Sequence, residues 1–512
     1  MSRSRRFFSG LALSYVYQGL LMLTGLWLTP FLLTHLGQRD YGLWIVGSQL
    51  LLYLTLTDFG VVALLPVEVG YATGREGGAA RARDLPLVVG QTTRLVLYQL
   101  PAVILIAAGL WFAIPAQWQG LRGPLALMLL GFVVSFPLRI LPTLVEGLQD
   151  LAFANAMRIV NWALNTAAIV ALIFAGWNLY ALASGWVVCQ LVTTPIFLYR
   201  LRTRFPEVLP RGLPPLVWEE VRKQLAKGFW VTVAQIASLL VGTTDVLVIA
   251  RLLGPAAVVP YNCTGKLSGV VGNQVTILMH TAGPGLCELK AGGDRAKIFH
   301  VLSALTQGMM HLSGVVFCVV LLLNHWFVAW WVTAHQYGGF FLTVMILINL
   351  IVRHWTGIGA NTVFFFGHQR RISLTNVTDG VVTAIATFLF VKFWGPVGAV
   401  FASLAGAALI SLPLNLTVIS RDVGVSVWRL VQAMLGAWFW RFALLAGAAA
   451  WIAARWSPKT LSEAVLTLLA VTAAYGVVML PNMFRAPLGN YTRPLLDAFR
   501  VRWTAFQVRA SS

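Results

Sequence analysis

The stretch HLGQRDYGLWIVGSQLLLYLTLTDFG, residues 35–60, decides what kind of chain this is. A polar turn at Gly37–Asp40 leads into a run that stays apolar on every side. Asp58 then stands near its far end, followed by Phe59 and Gly60. A carboxylate there is costly unless a partner or water meets it. It either neutralises a cation between packed helices, with Gly60 letting a neighbour approach closely, or it belongs to a functional pathway.

The rest of the chain repeats the pattern. Of 512 residues, 58% are hydrophobic and 11% charged, whereas soluble domains carry roughly a quarter charged residues. Apolar runs of about 20 residues, the length that crosses a hydrocarbon core, recur from end to end. The alternation of a transmembrane barrel is absent. The chain therefore reads as an all-α polytopic membrane protein. Fourteen spans are expected, near 10–34, 42–68, 87–114, 124–146, 155–175, 178–199, 226–252, 260–286, 300–327, 340–366, 372–393, 396–419, 428–454 and 461–483. The basic start MSRSRRFF reads as the flank of an uncleaved first helix.

The net charge of +20 would suggest nucleic acid in a soluble protein. Here it reads as the excess of Lys and Arg in cytoplasmic loops. With the N-terminus inside, 26 of the 37 basic residues fall on inside segments and 6 outside, so both termini are expected in the cytoplasm. The remaining five lie within spans. Cys189, Cys263, Cys287 and Cys318 lack metal-ligand spacing and read as small buried hydrophobes.

The longest connection, Pro-rich and charged, divides the chain. The expected organisation is an N-terminal lobe at 1–199, a linker at 200–225, a C-terminal lobe at 226–420, an additional helix pair at 421–485 and a basic tail at 486–512. The two lobes read as copies. Gln18 precedes Gly37, and Gln235 precedes Gly254, by the same 19 residues; Tyr41 precedes Glu68, and Tyr261 precedes Glu288, by the same 27. Each copy has an even number of spans, which makes them parallel repeats enclosing a central cavity.

The embedded cations are Arg94, Arg139, Lys266, Arg353 and Arg441, and the embedded acids Asp58, Asp245 and Asp379. Asp58 and Arg94 share a depth, which allows them to pair. Arg139 and Arg353, near mid-depth on corresponding helices, suit an anionic guest, since a guanidinium fork matches phosphate oxygens. Lys266 stands nearer the outer surface. Arg94, Arg139, Arg353 and Lys266 are the candidate substrate-binding cations; Asp58, Asp245 and Asp379 are candidate coupling or structural acids. His354 is a candidate proton carrier. Nucleotide-loop, metalloprotease and nucleophile-elbow motifs are missing, and no soluble insert is large enough for a catalytic domain. No metal site is expected.

Leu36-Gly37, Tyr41-Gly42-Leu43-Trp44 and Asp58-Phe59-Gly60, with Asp245, Leu253-Gly254, Tyr261 and Lys266 in the second copy, resemble the polysaccharide-export flippases. This O-antigen and exopolysaccharide family belongs to the multidrug/oligosaccharidyl-lipid/polysaccharide exporter superfamily. The resemblance implies two six-helix lobes working by alternating access. Its implied substrate is an undecaprenyl-diphosphate-linked oligosaccharide, moved from the inner to the outer leaflet of the bacterial cytoplasmic membrane. It further implies Na+ or H+ as the coupling ion, no other cofactor, no enzymatic activity, and a polysaccharide polymerase as a partner, without nucleic acid. The alternatives are an ion-coupled multidrug extruder, disfavoured by five embedded bases against three acids, and a membrane-embedded glycosyltransferase or ligase, disfavoured by short outside loops.

Overall fold

The computed structural model describes residues 3–74, 78–210, 212–215 and 218–494; the expected basic tail lies outside the described residues from 495 onward. Every regular element among them is helical. In chain order these are α1 (Arg3–Leu54), α2 (Val61–Gly74), α3 (Gly78–Phe112), α4 (Gln119–Ser135), α5 (Ile140–Gly147), α6 (Leu151–Phe174), α7 (Leu179–Arg204), α8 (Trp218–Gly242) and α9 (Thr244–Leu253). They continue with α10 (Val258–Ala291), α11 (Arg295–Trp331), α12 (Phe340–Phe365), α13 (Gln369–Trp394), α14 (Pro396–Gly406), α15 (Leu412–Val423), α16 (Val427–Ala453) and α17 (Leu461–Met483).

Ten helices among the described residues are long and apolar enough to cross a membrane, or twelve if each of two bent pairs is one span. Fourteen were expected. Part of the difference lies in α1, counted once: as a straight rod of 52 residues it would be about 78 Å long, more than twice the hydrocarbon thickness. It is not straight, because Gly37 leaves the helical region with φ 78° and ψ 168°. Two expected continuous spans are also broken. The segment 124–146 bends by 55° between α4 and α5, where Pro137 has no amide proton to continue the ladder. The segment 226–252 bends by 44° between α8 and α9. The expected span 42–68 is interrupted by a 3-10 turn at Thr55–Asp58.

The outer surface is apolar: Phe112, Leu409 and Leu444 are each 75% exposed. A bilayer tolerates such side chains, and helices satisfy their own backbone within it. The chain is thus a multi-pass membrane protein.

Packing divides the chain between Val259 and Pro260, not at the Pro-rich connection, so α8 and α9, expected to open the second lobe, pack in the first unit. Close approach explains this. Cβ atoms added to Gly42 and Gly60 would fall 2.1 Å from Pro255 O and 2.6 Å from Gly228 O. The Tyr53 hydroxyl lies 2.8 Å from Thr244 Oγ1, and Gln117 Nε2 donates to Arg251 O at 2.8 Å. The core of this unit includes Leu43, Leu65, Leu85, Leu121, Phe136 and Leu182, all fully or almost fully buried.

In the second unit α11 is the central helix, buried along most of its length. Asn324 of α11 donates through Nδ2 to Thr264 O (3.0 Å) and Thr343 Oγ1 (3.1 Å), tying together α10, α11 and α12. The α16–α17 pair packs on another side of α11. Trp438 stacks on Phe442 at 4.5 Å and donates through Nε1 to Tyr475 Oη at 3.0 Å. Gly314 leaves room for Tyr475.

The two halves turn alike. Gly254 adopts φ 91° and ψ 158°, close to Gly37. Gln149 and Asn178, both at positive φ, follow Gly37 by 112 and 141 residues; Gly367 and Gly395, also at positive φ, follow Gly254 by 113 and 141. Asn178 (47°, −129°) and Gly395 (59°, −146°) share an unusual conformation. These matching turns support the duplication read from Gly37 and Gly254.

Candidate functional site

Three of the embedded charges, Asp58, Arg139 and Asp245, stand where helices break. After the 3-10 turn, Phe59 and Gly60 both take positive φ, and Asp58 Oδ1 accepts from Gly60 N at 2.9 Å. Gln99 Nε2 donates to Asp58 O at 3.2 Å. This answers the question posed by the Asp58-Phe59-Gly60 triplet. The carboxylate secures a sharp turn, and the glycine both supplies the backbone conformation and lets Gly228 come close.

The partner of Asp58 is Arg139, not the expected Arg94. Arg139 Nη2 lies 3.4 Å from Asp58 Oδ2. Arg139 stands just after Pro137, at the bend between α4 and α5, and its guanidinium lies 5.8 Å from the ring centroids of both Phe132 and Phe136. The long contact leaves the cation incompletely satisfied: Nη1 is buried without a hydrogen-bond partner among the described residues, while 29% of the side chain is exposed. Arg94 instead donates through Nη1 to Pro214 O at 2.9 Å and lies over the Tyr98 ring at 5.7 Å.

Arg353 is satisfied far more fully. Nη1 and Nη2 grip Asp379 at 2.6 and 3.3 Å, while Nε and Nη2 donate to Ser403 Oγ and Ser403 O at 3.2 and 2.7 Å. Asp379, only 2% exposed, also accepts from Thr383 Oγ1 at 3.0 Å and Ser411 Oγ at 2.7 Å. Ser411 ends a π-helical turn at Ala407–Ser411 between α14 and α15. Wider turns of this kind recur at functional sites, but here all four polar partners converge on a single ion pair.

The remaining candidates are separate. Asp245 opens α9, where its Oδ1 accepts from Val246 N at 2.8 Å. Half-buried Lys266 has no ion pair among the described residues. Arg441 donates to Asn482 Oδ1, and His354 Nδ1 lies 2.8 Å from Ser313 Oγ. Cys287, unlike the other three cysteines, is exposed.

Leu138, the neighbour of Arg139, lines a groove of about 340 Å³ between α4 and α7 with Leu130, Gly131, Val134, Val187 and Leu191. This groove arises from the packing of two helices and has no signature in the order of residues.

A family described as "Polysaccharide biosynthesis protein" matches residues 11–287, more than half of the chain. The chain belongs to this family. No match to it was found among the curated proteins. Among solved structures, the fold is similar to the lipid II flippase MurJ in an inward closed conformation, with 10% identity and a TM-score of 0.66 over 93% of this chain and 99% of that one. It is also similar to an inward-facing multidrug resistance MATE family transporter of the MOP superfamily, with 14% identity and a TM-score of 0.58 over 77% and 96%. A third similar structure is a MOP superfamily transporter from Pyrococcus furiosus, described as having a binding pocket of reverse polarity, with 12% identity and a TM-score of 0.54 over 82% and 95%. These TM-scores establish a shared fold.

Proposed function

We propose that this polysaccharide biosynthesis protein is a flippase for an undecaprenyl-diphosphate-linked oligosaccharide, moving it from the inner to the outer leaflet of the bacterial cytoplasmic membrane. The product serves O-antigen or exopolysaccharide assembly, and a polymerase would receive it. The lobes at 1–199 and 226–420 would alternate in access, with α8 and α9 of the second packed against the first in the conformation described, and both termini would lie in the cytoplasm.

The observation that carries this reading is the incomplete satisfaction of Arg139. A guanidinium with a buried Nη1 that has no partner among the described residues, and a long contact to Asp58, retains donors for a stronger acceptor. Phosphate oxygens meet that need with short, charge-assisted bonds. The adjoining apolar groove offers a place for hydrocarbon beside the charge. Arg353, gripped by Asp379 and Ser403, is the structural counterpart. Lys266 and Arg94 are secondary candidates for the sugar-phosphate headgroup. When the substrate phosphate engages Arg139, Asp58 is released to bind H+ or Na+, which would couple the cycle. Asp245 and Asp379 are the other candidate coupling acids.

The test is headgroup translocation in proteoliposomes. Arg139→Gln is expected to lose at least about tenfold in transport, the worth of one charge-assisted hydrogen bond, while the folded fraction is retained. Arg139→Lys should recover only part of it, because a point charge cannot reproduce the fork. Undiminished transport by folded Arg139→Gln would remove the proposal.

A further inference from the structure

Between α11, α16 and the end of α17 lies a chamber of about 80 Å³, lined by Gln307, His311, Trp438, Asn482 and Arg485, among others. It is distant in the chain from Arg139 and contains none of the candidate substrate cations. Its chemistry is one-sided. His311 is 5% exposed, and its Nδ1 lies 2.7 Å from Gln307 O. A carbonyl oxygen only accepts, so Nδ1 carries the proton. Nε2 is then left as a buried acceptor with no hydrogen-bond partner among the described residues. Gln307 Nε2 donates to Ala433 O at 2.7 Å and is committed elsewhere. Asn482 accepts from Arg441 through Oδ1, which leaves its amide protons as the group it can offer. The exposed Arg485 guanidinium makes no ion pair among the described residues. None of the lining residues is acidic.

A buried polar atom without a partner calls for an occupant. The surroundings select its chemistry: the Arg485 guanidinium and the Asn482 amide protons favour an anionic oxygen, and the His311 Nε2 lone pair favours a hydroxyl beside it. The volume limits it to a group a few atoms across. Location points to its source. The chamber is reached where α17 ends, at Asn482 and Arg485, and extends inward beside Met434 and Trp438 of α16. Basic pockets between helices suit lipid headgroups.

We propose that this chamber binds one phosphate group, either the headgroup of an anionic phospholipid or free inorganic phosphate, and thereby holds the α16–α17 pair onto α11. Phosphate oxygens would accept from Arg485 and the Asn482 amide, while a hydroxyl of the occupant, on the phosphate itself or on the headgroup, donates to the unprotonated His311 Nε2.

The test uses the full chain, purified in detergent. Binding is followed by native mass spectrometry and by the thermal unfolding midpoint, with phosphatidylglycerol, neutral diacylglycerol or inorganic phosphate added separately. Phosphatidylglycerol is expected to be retained and to raise the midpoint, with no effect of diacylglycerol. Arg485→Gln, an exposed position whose change leaves the core intact, should weaken phosphatidylglycerol binding about tenfold. His311→Gln should weaken it in the same direction. An equal rise with inorganic phosphate supports the oxyanion site and assigns its source to the free ion. Equal stabilisation by diacylglycerol, no stabilisation by either phosphate compound, or undiminished binding in folded Arg485→Gln overturns the proposal.

Discussion

Asp379→Asn is the sharpest perturbation available, because it changes charge with almost no change in volume. Arg353 gives Asp379 two bonds, at 2.6 and 3.3 Å, and Ser411 and Thr383 give one each, at 2.7 and 3.0 Å. Both oxygens thus receive one guanidinium bond and one hydroxyl bond. An amide keeps one acceptor and turns an –NH2 toward donors on the other side. Arg353, with a side chain only 20% exposed, then keeps its charge without a counterion. Breaking a buried pair from one side costs about 3–5 kcal/mol. At about 2–4 °C per kcal/mol for a unit of this size, the unfolding midpoint should fall by roughly 10 °C. The assay is thermal unfolding of purified protein in detergent, followed by tryptophan fluorescence. Adding Arg353→Met to Asp379→Asn removes the stranded cation and should restore most of the loss, since replacing both members of a buried pair is often neutral. An unchanged midpoint in Asp379→Asn, or a double variant as unstable as the single one, would refute the reasoning.

Gly60→Ala should destabilise by about 2–4 kcal/mol, from a φ of +70° and a Cβ 2.6 Å from Gly228 O; denaturation of the purified protein measures it, and a change below about 0.5 kcal/mol would contradict the packing. Asn324→Ala should cost about 1 kcal/mol by removing the link to Thr264 and Thr343, read as a lower unfolding midpoint. Arg94→Gln should cost under about 1 kcal/mol, because its polar partners are the Pro214 carbonyl and the Tyr98 hydroxyl, with no acid among the described residues; a loss as large as that of Asp379→Asn would show an unrecognised ion pair.

Composition and run length alone were enough to assign lipid as the solvent and helix as the only regular structure, because a bilayer leaves few ways to satisfy a backbone. The turns at Gly37 and Gly254 were legible too, from glycine beside polar residues at matched spacing, and so was the structural use of Gly60. Pairing was not. Position along a helix gives depth, and on depth alone Arg94 was a reasonable partner for Asp58. Which acid meets which arginine depends on how each helix is rotated and bent. Pro137 bends the chain beside Arg139, and the π-helical turn ends at Ser411 beside Asp379. Those angles come from side chains packing between segments far apart in sequence, so only the tertiary structure decides that Arg353 is fully bound while Arg139 retains a free donor.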